Sequence, residues 1–199
     1  MQSCYLYTWS VLYFLQPHAC PHTNAHTRAR ASKNGSSLSP SSSNVWQARC
    51  LDLCAGSGAL GFESVSRGAQ FALLLDTHPA VVQQLNEYCQ LLQTNQIHVQ
   101  RQDALSFLNS ACDEPFNLVF LDPPFAQDLW QALAAALECG GWLAPQALIY
   151  VEAPVNQALM LPSSWQLIKD KKAGQVAYRL YRHQPSTHTH SPASSGDSA

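Results

Sequence analysis

Between Val45 and His183 the chain alternates short apolar runs with stretches whose apolar residues return every three or four positions. The runs Arg49 to Cys54, Phe71 to Leu75, Ile97 to Gln100, Asn117 to Leu121 and Ala147 to Glu152 read as strands. The periodic stretches read as helices. Ala59 to Arg67 is stopped by Gly68. Pro79 to Gln93 has proline at its first position and Val82, Leu85, Cys89 and Leu92 along one face. Ala104 to Asn109 follows a capping Asp103, and Asp128 to Cys139 ends at Gly140-Gly141. Trp165 to Lys169 and Val176 to Tyr181 flank Lys171-Lys172-Ala173-Gly174, which predicts an antiparallel pair. Strands alternating with helices predict an α/β fold: a mostly parallel sheet covered on both faces and closed by a C-terminal hairpin.

The flanks break this pattern. Residues 1–44 hold an aromatic-rich apolar run from Tyr5 to Leu15, then Pro, His, Thr and Arg residues, then the serine-rich stretch Ser36 to Ser43. Such a segment buries too little apolar surface to offset its ordering entropy. It is expected to be disordered or atypical, as is the tail at 184–199, leaving one domain at 45–183. His18, Cys20, His22 and His26 lack zinc-finger spacing, so they are read as scattered polar residues and no metal site is expected.

Composition adds a few bounds. The chain has 199 residues, 46% hydrophobic and 12% charged, as for a soluble globular domain. A net charge of −2 gives no global attraction for a polyanion, so nucleic acid would have to be held by a local basic patch. Of seven cysteines, no two form a Cys-x-x-Cys pair. Cys50 and Cys54, placed on one strand face, lie too far apart to bridge, which points to reduced thiols in a cytoplasm. The Tyr5 to Leu15 run is too short to span a membrane and has no positive charge before it, so neither a membrane span nor a secretory signal is expected.

Candidate chemistry begins after the first strand, at Leu51-Asp52-Leu53-Cys54-Ala55-Gly56-Ser57-Gly58-Ala59-Leu60-Gly61. The Gly56-x-Gly58-x-x-Gly61 spacing, with Asp76 twenty residues on at the end of the second strand, marks a site for an adenosine-containing ligand. Asp52 sits where a dinucleotide site usually has an apolar residue, and its carboxylate suits a cationic ligand rather than a pyrophosphate. Asp103, after the third strand, can accept from an adenine amino group or serve as a plain helix cap. Asp52, Asp76 and Asp103 together favour S-adenosylmethionine over NAD.

The strand Asn117 to Leu121 runs into Asp122-Pro123-Pro124-Phe125. Both prolines fix φ, and the first also restricts Asp122, so a carboxylate and an aromatic ring are held rigidly at a strand's carboxyl end. Ligands of open α/β sheets bind at that end. The exocyclic amine of a nucleobase is a poor nucleophile because its lone pair is delocalised into the ring. The Asp122 carboxylate and the Pro123 carbonyl can accept both N–H groups and localise that pair. Phe125 offers a face for a flipped base, a contact of about 1–3 kcal/mol. A proline-rich turn with a capping Asp and a packing Phe is the plain alternative.

Four stretches, Leu51 to Gly68 (LDLCAGSGALGFESVSRG), Leu118 to Phe125 (LVFLDPPF), Gly141 to Glu152 (GWLAPQALIYVE) and Gly174 to Tyr181 (GQVAYRLY), together resemble the RsmD family of bacterial enzymes that methylate the N2 of a guanine in small-subunit (16S) ribosomal RNA. The likeness covers about Arg49 to Arg182. It implies a class I S-adenosylmethionine-dependent methyltransferase fold of the Rossmann-like, seven-stranded type, with assembling small ribosomal subunits as substrate and no metal. The glycine loop (Ala55, Gly56, Ser57, Gly58, Gly61) with Asp52 would hold the donor. Asp76 would hold its ribose, Asp103 and Ala104 its adenine, and Asp122, Pro123, Pro124 and Phe125 the guanine. A monomer is expected. The family's basic amino-terminal segment, a β-hairpin and helix with a Thr-x-x-x-Arg-x-Arg-Glu-type motif, has no match in residues 1–44. The expectation is therefore an intact cofactor fold with weakened RNA binding. Lys169, Lys171, Lys172, Arg179 and Arg182 form the remaining basic cluster, or simply a solvated hairpin. Other readings stay open: adenine N6 or cytosine N4 as acceptor, a non-catalytic S-adenosylmethionine-binding domain, and, against Asp52, an NAD-dependent oxidoreductase.

Overall fold

A computed structural model describes residues 45–184. Seven strands and four helices alternate: β1 (Arg49–Asp52), α1 (Ala59–Ser66), β2 (Phe71–Asp76), α2 (Pro79–Leu91), β3 (Ile97–Arg101), α3 (Ala104–Leu108), β4 (Phe116–Leu121), α4 (Trp130–Cys139), β5 (Leu143–Pro154), β6 (Trp165–Ala173) and β7 (Val176–His183). They form one sheet in the order β3-β2-β1-β4-β5-β7-β6. The first five strands are parallel, and β7 pairs antiparallel with both β5 and β6. This is the expected α/β sheet with its C-terminal hairpin.

The continuous apolar runs of β1, β2, β4 and β5 arise because both sheet faces are covered. On one face Cys50, Leu74, Leu85, Leu118, Phe120 and Tyr150 form a core with α1 and α2. On the other, Leu51, Leu75, Val119, Leu121, Ile149 and Val151 pack with Trp130, Leu133 and Leu137 of α4. Alternation along each strand decides which residue joins which core. β1 pairs with β2 on one side and β4 on the other, and the chain reverses its direction of growth between β1 and β4. The carboxyl ends of those two strands flank the crevice where open α/β sheets bind ligands.

The elements differ from expectation in four places, one of them β6, which runs on to Ala173 so that Lys171 and Lys172 lie in the strand and not in the turn. β1 ends at Asp52: the Leu53 amide makes the last bond to β4, at Phe120 O, and the chain then turns into the glycine loop. Cys50 and Cys54 therefore do not share a strand, and both are free thiols. Asp128 does not begin the fourth helix. Residues Phe125–Gln127 make a 3₁₀ turn, Asp128 takes a left-handed conformation (φ 47°), and α4 starts at Trp130. β5 is longer than its apolar pattern, beginning at Leu143 and running to Pro154. The possible metal ligands at residues 18–26 lie outside the described residues. Among the described residues no His/Cys/Asp/Glu group is arranged to hold a metal ion, and no helix is long and apolar enough to cross a membrane.

Candidate active site

The loop between β1 and α1 is folded by its own backbone. Ala55 N–H donates to Leu75 O at 2.9 Å and Gly58 N–H to Ala55 O at 2.7 Å, which ties the loop to β2 and tightens it into a turn. Gly58 has φ 75°, and a Cβ there would stand 2.4 Å from Leu85 Cδ2 and 2.9 Å from the Phe62 ring. At Gly61 a Cβ would meet Leu74 Cδ1 at 2.5 Å, so a side chain would push α1 off the sheet. Gly56 and Ser57 are exposed at the loop's tip, open to a ligand, while Ala55 is buried beneath it.

Three acidic residues surround the loop. Asp76, at the end of β2, accepts the Gly56 amide on Oδ2 (3.0 Å) and the His78 amide on Oδ1 (2.8 Å). Each oxygen has a further lone pair, so the carboxylate is oriented by the protein and still able to accept from two hydroxyls. Asp103 is a helix cap, its Oδ1 accepting Ser106 N–H at 2.8 Å. Its side chain is exposed, so capping and ligand contact do not exclude one another. Ala104 is buried, which leaves only its backbone to meet a ligand.

Asp52 is 3% exposed, and its Oδ2 has no hydrogen-bond partner. Burial raises its pKa to about 7 against the pull of the Cys54 and Gly61 backbone amides, which favour the charge. An incompletely satisfied carboxylate beneath the loop gains from a cationic ligand and would repel a pyrophosphate. The Cys54 thiol nearby is pushed up to about 12 by burial and by Asp52 and Asp122, so it stays protonated and is no nucleophile.

Across the crevice, Asp122 leaves the end of β4 and Pro123 is buried behind it. Burial, then Glu152, then Asp52, push the Asp122 carboxyl up to about 8. Phe125 is 43% exposed, with its ring 5.7 Å from the buried Trp130 indole. The indole is fixed by donating to Glu152 O at 2.7 Å. The 3₁₀ turn closes through Gln127 N–H to Pro124 O (3.0 Å), and Asp128 accepts from Gln157 at 2.8 Å, tying the turn to the chain after β5.

The fold thus gathers Asp52, the glycine loop, Asp76, Asp103 and Asp122–Phe125 at the carboxyl edge of the parallel strands. The hairpin's basic residues sit on β6 and β7, where the register brings Lys171 and Lys172 level with the carboxyl end of β5 and Arg179 is held by Asp170 at 3.6 Å. Glu152, at the carboxyl end of β5, belongs to the same edge, and its carboxyl is raised by burial. It was not a sequence candidate, although an acidic residue at a strand's carboxyl end is the signal that singled out Asp122.

The family model described as Conserved hypothetical protein 95 matches residues 35–182. Ribosomal RNA small subunit methyltransferase D of Escherichia coli strain K12 is 46% identical over 141 residues, spanning 70% of this chain and 71% of that protein. The protein of the same name from Haemophilus influenzae is 42% identical over 69% of this chain and 73% of its own length. Among solved structures, a putative methyltransferase, yhhF, from Escherichia coli superposes with a TM-score of 0.69 at 45% identity, covering 71% of this chain and 79% of that one.

Proposed function

The chain belongs to the RsmD family, and from that premise we propose that it transfers a methyl group from S-adenosylmethionine to the exocyclic N2 of a guanine in small-subunit (16S) ribosomal RNA. The observation that carries the reading is the facing pair across the β1/β4 crevice: a glycine loop anchored by Asp76 on one side and the rigid Asp122-Pro123-Pro124-Phe125 turn on the other. The unit that carries it runs from residue 45 to 183, acts in the cytoplasm as a monomer, and needs no metal.

The donor set suits the cofactor. Asp76 accepts from the ribose hydroxyls, Asp103 from the adenine amino group beside the Ala104 backbone, and the loop of Ala55, Gly56, Ser57, Gly58 and Gly61 lies against the methionine end. Asp52 supplies negative charge beneath that end, which favours a molecule carrying an ammonium and a sulfonium. When bound, S-adenosylmethionine supplies an electrophilic methyl on sulfur.

The protein's own part is to prepare the acceptor. Phe125, braced by Trp130, stacks the unpaired base, while Asp122 and the Pro123 carbonyl accept the two amino hydrogens. With both hydrogens held in that way, the nitrogen lone pair is turned out of conjugation and toward the crevice. Pro123 and Pro124 keep these acceptors fixed, so little reorganisation is needed during transfer. The amine becomes acidic only once it has gained the methyl, and its proton then passes to the Asp122 carboxylate. A carboxylate with a raised pKa is a better acceptor for it than an ordinary aspartate.

The test is transfer of labelled methyl to small subunits that lack the modification, followed by digestion and identification of the nucleoside. N2-methylguanosine is expected. Label on adenine N6 or cytosine N4 would move the acceptor, and no label despite S-adenosylmethionine binding would leave a binding domain.

A further inference from the structure

The Asp122–Pro123 clamp saturates an amino group but does not distinguish one base from another, since adenine, cytosine and guanine all present an NH₂. What separates them is the neighbouring ring position. Guanine has a second donor there, N1–H, whereas adenine N1 and cytosine N3 are bare acceptors. A site that reads this difference needs an acceptor beside Asp122.

Glu152 occupies such a position. β4 and β5 are parallel, with Phe120 opposite Tyr150 and Leu121 opposite Val151, so the next pair along the two strands is Asp122 and Glu152. Asp52 is paired with Phe120 on the other side of β4, and the two-residue alternation carries Asp52, Asp122 and Glu152 to the same sheet face. Glu152 is held in place by the Tyr150 hydroxyl, which donates to Oε1 at 2.7 Å and leaves Oε2 outside that bond. The Tyr150 ring is itself fixed, edge-on to Phe120 at 6.2 Å and stacked on Tyr178 at 6.5 Å. Two half-buried carboxylates side by side are costly. Burial raises both, and Asp122 is raised further by Glu152 and Asp52. A ligand edge bearing two adjacent N–H groups would relieve that cost.

Building on the methyltransferase reading above, we infer that Glu152 is a base-recognition residue, accepting the ring N1–H of guanine beside the amino group held by Asp122 and Pro123, and thereby selecting a base with two adjacent donors. Against an adenine or cytosine edge the same carboxylate would face a lone pair. Sites built to hydrogen-bond a group reject analogues that lack it far more strongly than apolar pockets reject a missing methylene.

The experiment compares methyl transfer to small subunits assembled with RNA carrying either guanine or 2-aminopurine at the methylated position. 2-Aminopurine keeps the amino group and replaces N1–H by a lone pair. Wild-type protein is expected to prefer guanine by at least about tenfold. In Glu152→Gln the amide N–H can donate to the bare ring nitrogen, so guanine transfer falls and the guanine-to-2-aminopurine ratio narrows by about tenfold or more. Calorimetry with S-adenosylmethionine checks that the variant is folded, and the wild-type ratio is read without any variant. Equal use of the two bases by wild type, or an unchanged ratio in Glu152→Gln, overturns the role of Glu152. Absence of label from guanine N2 in wild type overturns the methyltransferase reading itself, which is a different result.

Discussion

Asp76 Oδ2 accepts the Gly56 amide proton at 3.0 Å, joining the end of β2 to the tip of the glycine loop. One carboxylate thus shapes the loop and remains able to accept a ribose. Asp76→Ala removes both functions. A hydrogen bond to a charged acceptor contributes about 1.5–3 kcal/mol, so S-adenosylmethionine binding should weaken by about ten- to a hundredfold in calorimetry. Binding within twofold of wild type would deny Asp76 that role.

Gly58 is the loop position with least freedom to change. Its φ of 75° and the 2.4 Å approach to Leu85 mean that Gly58→Ala combines backbone strain with overpacking. The cost is about 1–3 kcal/mol, or roughly 2–4 °C of melting temperature for each kcal/mol. Ser57→Ala, at an exposed neighbour, should leave the melting temperature unchanged. Equal thermal unfolding of the two variants would contradict the packing described here.

Asp52 and Asp122 make stability and activity respond oppositely to pH. Their folded pKa values, about 7 and about 8, lie above the ordinary 3.8 of an unfolded aspartate. Between about pH 4 and 8 the native state therefore holds protons that the unfolded chain has released, and stability falls as pH rises. Asp122→Asn removes one such proton, so its stability relative to wild type should improve from pH 5 to pH 8 in denaturant titrations. Methyl transfer needs the charged acceptor and should instead rise across pH 6–8, with an apparent value belonging to the coupled carboxylates. A wild-type rate independent of pH in that interval would argue against an ionising acceptor.

The turn after Pro124 is latched by Gln157 Nε2 donating to Asp128 Oδ1 at 2.8 Å. Asp128→Gly keeps the left-handed backbone and deletes the latch. Gln157→Ala deletes the latch from the other side. Each should lower kcat severalfold with little change in S-adenosylmethionine affinity, and the double variant should be no worse than either single one. Additive losses would mean that the two residues act separately.

Much of this was legible in the sequence, for identifiable reasons. Buried parallel strands leave continuous apolar runs, and α2 carries apolar residues at helical spacing after its proline, so element order and type could be read from pattern, although only Leu85 of that face is buried and Leu92 is exposed. Gly56, Gly58, Gly61 and Asp76 were readable because the constraints are local to one strand-helix-strand unit, β1 to β2. Element ends were less so. Leu53 and Cys54 look like strand, but the bond from the Leu53 amide to Phe120 O is the last to β4, and the chain then turns into the glycine loop. Asp128 looks like a helix start, but it takes a left-handed conformation and its side chain accepts from Gln157, 29 residues away. Glu152 becomes a site residue only when the β4–β5 register places it next to Asp122, and that register is a tertiary fact.

The central claim is that Asp122 and Pro123 activate the acceptor amine while the donor is held independently across the crevice. Single-turnover methyl transfer by Asp122→Ala, on small subunits lacking the modification, tests it most directly. Loss of one preorganised polar contact in a transition state costs about 10²–10³ in rate, so transfer should fall by about a hundredfold or more while S-adenosylmethionine affinity stays within about threefold. Transfer at the wild-type rate by that variant would contradict the account.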